Sequence, residues 1–354
     1  MSSLALPLPI KASPSRRHGW LRPALAGLAC LLAALGAGCG RRDAATVEYQ
    51  TALDGRKVAR IAVQMDWYAQ PEHGGFYQAQ LTGMYDRAGM AVEIRQGGRN
   101  ALGMERVILG EVQFANTSLP EVILARSRGL PVIAVMAYMQ RNPQGIMFHK
   151  SSGITTFADL NERRIMAGAG FSWVEVLKRK VGITFDTLPM DHGLERFLSD
   201  PQFVQQCFVT SEPFYAKQHG AEVGTLLIAD TGFNPYRVIY CRQDFAEQNP
   251  EIVRQFVAAS IAGWRDYLFG NRIRTHLKLA ALNPKHTPEF LDFSFAAMLE
   301  HGLITGPGND PGAIGRMTES RLADVARDLA EAGLLKRDLK PADFASMEYL
   351  PPAP

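Results

Sequence analysis

Residues 58–79 read Val-Ala-Arg-Ile-Ala-Val-Gln-Met-Asp-Trp-Tyr-Ala-Gln-Pro-Glu-His-Gly-Gly-Phe-Tyr-Gln-Ala. The run Val58–Val63 has the apolar alternation of a strand, and Gly74-Gly75 opens the next helix. Between them lie stacking surfaces (Trp67, Tyr68) and hydrogen-bonding groups (Asp66, Glu72, His73), with Phe76 and Tyr77 just beyond and no nucleophile–base pair. Ligand sites of open α/β sheets sit outside the carboxyl ends of strands. The stretch has the chemistry to hold a flat polar molecule.

Outward from it, strand-like and helix-like segments alternate. Strands are expected at Val58–Val63, Ala91–Arg95, Val112–Ala115 and through Met139. Helices are expected at Gly75–Tyr85, Leu102–Leu109 and Glu121–Arg128. This βαβαβαβ order predicts a mostly parallel sheet covered by helices. A second set follows, with strands at Gly145–His149, Arg164–Ala167, Thr184–Leu188, Val204–Val209 and Val223–Ile228. Its helices are Phe157–Leu160, Trp173–Val181, Leu194–Leu198 and Glu212–His219. After a strand at Tyr236–Cys241, residues 243–335 are helical in pattern, with Phe256, Ile261, Trp264 and Leu268 as core. The simplest assembly is α/β with two lobes: 57–144 and 236–354 form the first, and 145–235 an inserted second. A hinge near 138–146 and 230–238 lets such a clamp close on a ligand.

The N-terminus has the signature of export. Lys11, Arg16, Arg17 and Arg22 precede an apolar, small-residue run, Ala24–Gly38, that ends at Cys39. The run is short of the about 20 residues of a membrane span, and basic region, apolar region and small residues together describe a signal peptide at 1–38. Leu35-Gly36-Ala37-Gly38-Cys39 resembles a bacterial lipobox, although Leu35 stands four places before the Cys instead of three. Lipidation of Cys39, with 39–56 as a tether, is the reading that fits; plain secretion and an uncleaved anchor are the alternatives. Ser15-Arg16-Arg17 has the look of a twin-arginine signal, but Gly19 breaks it.

Charge follows from this. The chain has 38 basic and 35 acidic residues; without the four in the signal, 34 basic residues face 35 acidic, a net charge of −1. No basic block remains to track a phosphate backbone, so no nucleic-acid partner is expected. About 315 residues after the signal suffice for two domains with large cores. Cys207 and Cys241 lie in apolar runs and read as buried small hydrophobes, with a disulfide between them as the alternative. No cysteine or histidine spacing suggests a metal.

Candidate ligand contacts lie at the strand ends. Trp67 is the stacking face, since Trp67 and Tyr68 point opposite ways if the strand continues. His73 either hydrogen-bonds a ring nitrogen or caps the helix, and Glu72 either accepts from an amine or faces water. Asn116 offers donor and acceptor together, while Thr117 or Ser118 N-caps the next helix. Across the cleft, Gly168-Ala169-Gly170-Phe171-Ser172-Trp173 precedes a helix. It is no dinucleotide fingerprint, because Trp173 stands at the third glycine position. Backbone at Gly170 can approach a ligand, Ser172 sits at the helix start, and Phe171 or Trp173 can cover a ring. Glu212 serves either the helix dipole or a ligand amine, and Tyr236 lines the cleft at the second hinge.

These residues carry a family resemblance. Asp66-Trp67, His73, Phe76-Tyr77, Ala79 and Gly83-Met84-Tyr85 resemble the opening of the thiamine-pyrimidine-precursor branch of type II periplasmic binding proteins. Gly89–Ile94, Gly110–Ala115, Ala125–Val132, Gly153-Ile154, Asp159-Leu160 and Asn249–Phe256 continue the match over roughly 57–270. The resemblance implies a type II periplasmic-binding-protein clamshell and the substrate-binding lipoprotein of an ABC importer, working with a permease and its ATPase. Its ligand would be formylaminopyrimidine, hydroxymethylpyrimidine or another nitrogen heterocycle. A monomer without cofactor is expected, held at the membrane by lipid on Cys39 and facing the periplasm. The similar pyrimidine synthases share the first-loop His but carry a cysteine cluster and a lysine for pyridoxal phosphate. Thr231–Arg237 has no such cluster, and no HExxH or P-loop replaces it, so no enzyme is expected. Sulfonate and nitrate carriers are the alternative on this fold, and a lipoprotein that signals to a membrane sensor is another.

Overall fold

In the computed structural model, residues 45–99, 101–168 and 170–352 are described. Tyr49–Thr51 (β1) pairs antiparallel with the first half of Lys57–Gln64 (β2). The expected tether at 39–56 therefore contains a short edge strand, fully exposed on its side chains. Strand β2 is buried at six of its eight positions. It pairs in parallel with Met90–Arg95 (β3) on one side and, at its carboxyl end, with Phe114–Ser118 (β4) on the other. Val132–Met139 (β5) is buried throughout and ends the strand order of this sheet.

The insertion departs from a parallel pattern. The chain leaves β5 into a second sheet, made of Gln144–His149 (β6), Arg164–Met166 (β7), Asp186–Leu188 (β8), Val204–Phe208 (β9) and Val223–Leu227 (β10), in the order β10-β6-β9-β7-β8. It returns as Arg237–Arg242 (β11), which lies antiparallel between β4 and β5. A strand entering from the cleft edge must run away from it, so Arg237 stands beside Ser118 and Met139, both at strand ends. Strand β4 also extends further than its apolar pattern suggests. Asn116, Thr117 and Ser118 are paired with Ile239, Val238 and Arg237, because β11 supplies partners to these polar residues.

Two chain crossings join the lobes, and they are tied to each other. Asn142 donates its backbone N–H to Asn234 Oδ1 at 2.9 Å and its side-chain amide to the Pro235 carbonyl at 3.3 Å. Arg321, on helix Glu319–Glu331, donates to the carbonyls of Asn234 and Gln140, one in each crossing. Its guanidinium lies 3.8 Å from the centroid of the Tyr236 ring, and Thr318 N–H donates to Tyr236 Oη at 3.2 Å. Tyr236 is thus buried beneath the C-terminal helix and does not line the cleft, contrary to expectation.

The double glycine has a packing role. Helix Gly74–Leu81 crosses the 20-residue helix Pro250–Phe269 closely. A Cβ at Gly75 would lie 2.2 Å from the Trp264 ring, and one at Gly74 would lie 2.3 Å from the Tyr267 ring. Gly263 faces the Gly75 carbonyl at 2.3 Å by the same construction. Trp264 is wholly buried, as expected. The expected helix Gly75–Tyr85 breaks at Gly83, whose φ of 71° starts a separate turn at Met84–Arg87. Cys207 and Cys241 are buried and free, not joined. Among the described residues no helix is long and apolar enough to cross a membrane.

Gly263→Ala should lower the stability to urea by about 1–3 kcal/mol, the cost of overpacking, despite the about 1 kcal/mol that alanine gains in a helix. Equal or greater stability would show that the two helices separate freely.

Candidate ligand-binding site

Four adjacent strands bring one group each to the same edge of the first sheet. In sheet order these are Asp66, just past β2, Asn116 on β4, Arg237 opening β11, and Tyr138 near the end of β5. Asp66 N–H donates to Asn116 Oδ1 at 2.7 Å, and Asn116 Nδ2 donates back to Asp66 Oδ1 at 2.9 Å and to Tyr138 Oη at 2.8 Å. Arg237 Nε donates to Tyr138 Oη at 2.8 Å, and its guanidinium pairs with the Asp66 carboxylate. His73 Nε2 lies 3.1 Å from Asp66 Oδ1. Arg237, Asn116, Tyr138 and His73 are buried, while Asp66 keeps 31% of its side chain open. Burial opposes the Asp66 charge, but Arg237, His73 and Asn116 outweigh it and hold the carboxyl below the ordinary carboxylate range.

Aromatic groups gather about Trp67 and Arg237, the neighbours of this carboxylate. Trp67 follows it and is half-buried, its ring 5.4 Å from Tyr68 and 5.5 Å from His192. His192 belongs to the second lobe, between β8 and helix Glu195–Ser199, with φ of 60°. Burial, and then the neighbouring Arg99, lowers the pKa of His192. Phe171 is 41% exposed ahead of helix Ser172–Val181, after Gly170 at φ 75°. Phe208, at the end of β9, places its ring 5.3 Å from the Arg237 guanidinium. The arrangement offers a partly open hydrogen-bond acceptor next to Trp67, with His192 of the second lobe against Trp67 and Phe208 against Arg237.

The expected residues divide accordingly. Trp67 and Phe171 present partly open rings, and Gly170 is exposed. His73 and Asn116 are buried and act through Asp66. Glu72 is neither open nor solvated: it accepts hydrogen bonds from Thr210 and, at 3.5 Å, from Ser294. Glu212 starts helix Glu212–Gln218, half-buried, and accepts from Phe208 N–H at 2.8 Å. Ser172 is buried. Trp173 is a core residue instead of a lid, because helix 172–181 turns its amphipathic face onto the core with Val174 and Leu177. Tyr236 is withdrawn under Arg321. Cys39 lies outside the described residues. Sequence reasoning missed Arg237, Tyr138 and His192, and it noted Asp66 without nominating it. A signal was available for Arg237: an arginine opening the otherwise apolar strand Arg237-Val238-Ile239-Tyr240-Cys241 needs a buried partner.

Two sheets, joined by paired crossings with a ringed acceptor between them, are the clamshell of type II periplasmic binding proteins. The aliphatic sulphonate binding protein SsuA of Escherichia coli has this fold at a TM-score of 0.62 and 15% identity, over 80% of this chain and 91% of that one. The family model described as NMT1/THI5 like matches residues 70–269, and the chain belongs to that family. The riboflavin-binding protein RibY of Chloroflexus aurantiacus is 27% identical over 228 residues, 59% of this chain and only 62% of that protein. The formylaminopyrimidine-binding protein of Halalkalibacterium halodurans is 23% identical, over 62% of this chain and 70% of its own length. A Saccharomyces cerevisiae relative, the 4-amino-5-hydroxymethyl-2-methylpyrimidine phosphate synthase THI11, is 23% identical over 64% of this chain and 72% of its own. The family thus includes proteins named as binders and as synthases.

Replacing Arg237 with Leu strands the Asp66 carboxylate. Chemical denaturation should show a loss of about 3–5 kcal/mol, toward the lower end because Asp66 is partly open, and the double Arg237→Leu, Asp66→Leu variant should recover part of it. The Asp66 contribution is present above the ordinary carboxylate pKa of about 4 and is lost as pH falls below it. A single variant as stable as the wild type at pH 7 would refute the pair's role.

Proposed function

We propose that this protein is the substrate-binding component of an ABC importer and captures a small nitrogen heterocycle, a thiamine pyrimidine precursor being the model case. The observation that carries this reading is the Asp66 carboxylate, partly open beside the half-buried Trp67 ring. A flat heterocycle with an N–H or amino group can stack on Trp67 and donate to Asp66. The names of the relatives RibY and formylaminopyrimidine-binding protein support a ring-shaped, nitrogen-rich ligand. Delivery to a permease, lipid attachment at Cys39 and a periplasmic setting belong to the same proposal.

The cation of the cleft floor supports it as well. Oxyanion sites recruit Arg, Lys or several N–H groups, and Arg237 is committed to Asp66 and Tyr138. A second reading, an anion carrier like SsuA, has one observation in its favour: exposed Arg99 near His192. The synthase reading is weaker. Thr231–Arg237 lacks a cysteine cluster, and the floor groups are paired with one another, not poised as nucleophile and base.

Native mass spectrometry of protein purified from its host weighs any carried ligand, and a thermal-shift panel compares aminopyrimidines and flavins with sulfonates and nitrate. A heterocycle mass and heterocycle-specific stabilisation are expected; stabilisation by the anions alone would defeat the proposal. With the identified heterocycle, Trp67→Ala should weaken binding by about 1–3 kcal/mol, roughly 5- to 150-fold in Kd. An unchanged Kd in titration calorimetry would remove Trp67 from the site.

A further inference from the structure

Helix Ile273–Leu282 is apolar on two sides, and only one of them is covered. The inner side docks by Thr275 and Leu279, both buried. Thr275 donates its hydroxyl to Gln78, and Leu279 belongs to a cluster with Tyr77, Phe290 and Leu291. The first turn is pinned as well: Arg272 lies 3.8 Å from the centroid of the Phe295 ring, and His276 Nε2 lies 3.0 Å from Tyr267 Oη. The outer side carries Ile273 and Leu277, 64% and 67% exposed. Positions 273, 277 and 281 recur every four residues and share one stripe of the helix, which exposed Ala281 completes. Phe269, four residues ahead of Ile273, is exposed too. Ile273 and Leu277 also line a groove of about 550 Å³, together with Ala280, Pro288 and Leu291. Contiguous exposed apolar surface of this kind marks an interaction site.

We infer that this face rests on the surface of an anionic lipid bilayer, with Ile273 and Leu277 at the acyl boundary and Arg274, Lys278 and Lys285 at the headgroups. Charge decides the occupant. Residues 267–288 hold Arg272, Arg274, Lys278 and Lys285 and no acid, in a chain whose balance after the signal is −1. Arg274 and Lys278 each follow an outward apolar residue by one position, so they border the stripe. Among the described residues no ion pair engages Arg274, Lys278 or Lys285. The acids that bracket the stretch are Asp266, which accepts from Gln78, and Glu289. Asp292 is the acid of the groove, 3.8 Å from His276 Nδ1. Apolar residues interleaved with cations are the pattern of a helix lying in a membrane interface. Its ten residues, about 15 Å long, are too few to cross the bilayer. A second copy of the chain suits the face less, because it would set cation against cation.

This inference depends neither on the ligand nor on lipid at Cys39, and its test reads the face itself. Hydroxyl-radical footprinting with mass spectrometry follows Leu277 in the whole protein, with Leu109, of the same type and 68% exposed, as the reference. On vesicles of about 30% phosphatidylglycerol in phosphatidylcholine, labelling of Leu277 should fall relative to Leu109. On pure phosphatidylcholine it should stay unchanged, and salt at about 0.5 M should restore it. The variant Arg274→Gln, Lys278→Gln changes only side chains that border the outer stripe, and circular dichroism checks its fold. In it the ratio of shielded to open Leu277 should drop about 25-fold, near fivefold for each cation removed from the surface. Equal shielding on neutral vesicles, none on anionic ones, or a double variant shielded like the wild type would each overturn the proposal. Shielding by membranes of the host but not by vesicles of their extracted lipids would also overturn it, by assigning the face to a protein.

Discussion

The Asp66–Arg237 ion pair is the interaction on which the cleft depends. It joins the segment leaving β2 to the first residue of the returning strand β11, 171 residues apart in the chain. A buried guanidinium is costly unless its charge is matched and its donors are taken. Here Asp66 matches the charge, and Tyr138 and Asp66 each take one donor. The requirement sets the register of β11, because Arg237 must arrive opposite Ser118 and Met139 at the cleft edge. It also sets the character of the site: the carboxylate stays ionised and partly open, while the arginine that compensates it is hidden beneath.

The surrounding structure holds that edge in place by two rigid contacts on opposite sides. Behind β2, the glycine-lined crossing of helices 74–81 and 250–269 fixes the turn that carries His73, and His73 in turn orients Asp66. Beside β11, Arg321 grips both crossings at the lobe junction. The two crossings are thereby held to each other and to helix 319–331.

Much of the fold was legible because apolar periodicity records burial, and burial repeats at every strand end. Strands β2, β3, β5, β6 and β9 stand within a residue or two of their expected positions. The placement of β11 was also anticipated, as a strand returning to the first lobe. What periodicity does not record is pairing between distant segments. Asn116-Thr117-Ser118 read as a loop because their polarity is balanced only by β11. Trp173 and Tyr236 are aromatic at strand or helix ends, where a ligand ring and a core ring look the same in sequence. Their burial comes from helix orientation and from Arg321, neither of which local sequence encodes.

The cluster at 65–79 shows how one stretch divides its labour. Gly74 and Gly75 serve helix packing, His73 serves Asp66, Glu72 serves the lobe interface, and Asp66 with Trp67 faces the cleft. Only two of these six residues are placed to meet a ligand. The others convert backbone and lobe geometry into a fixed position for those two. Glu72 stands one residue from His73, so the turn Pro71–His73 joins the contact with Thr210 to the residue that orients Asp66.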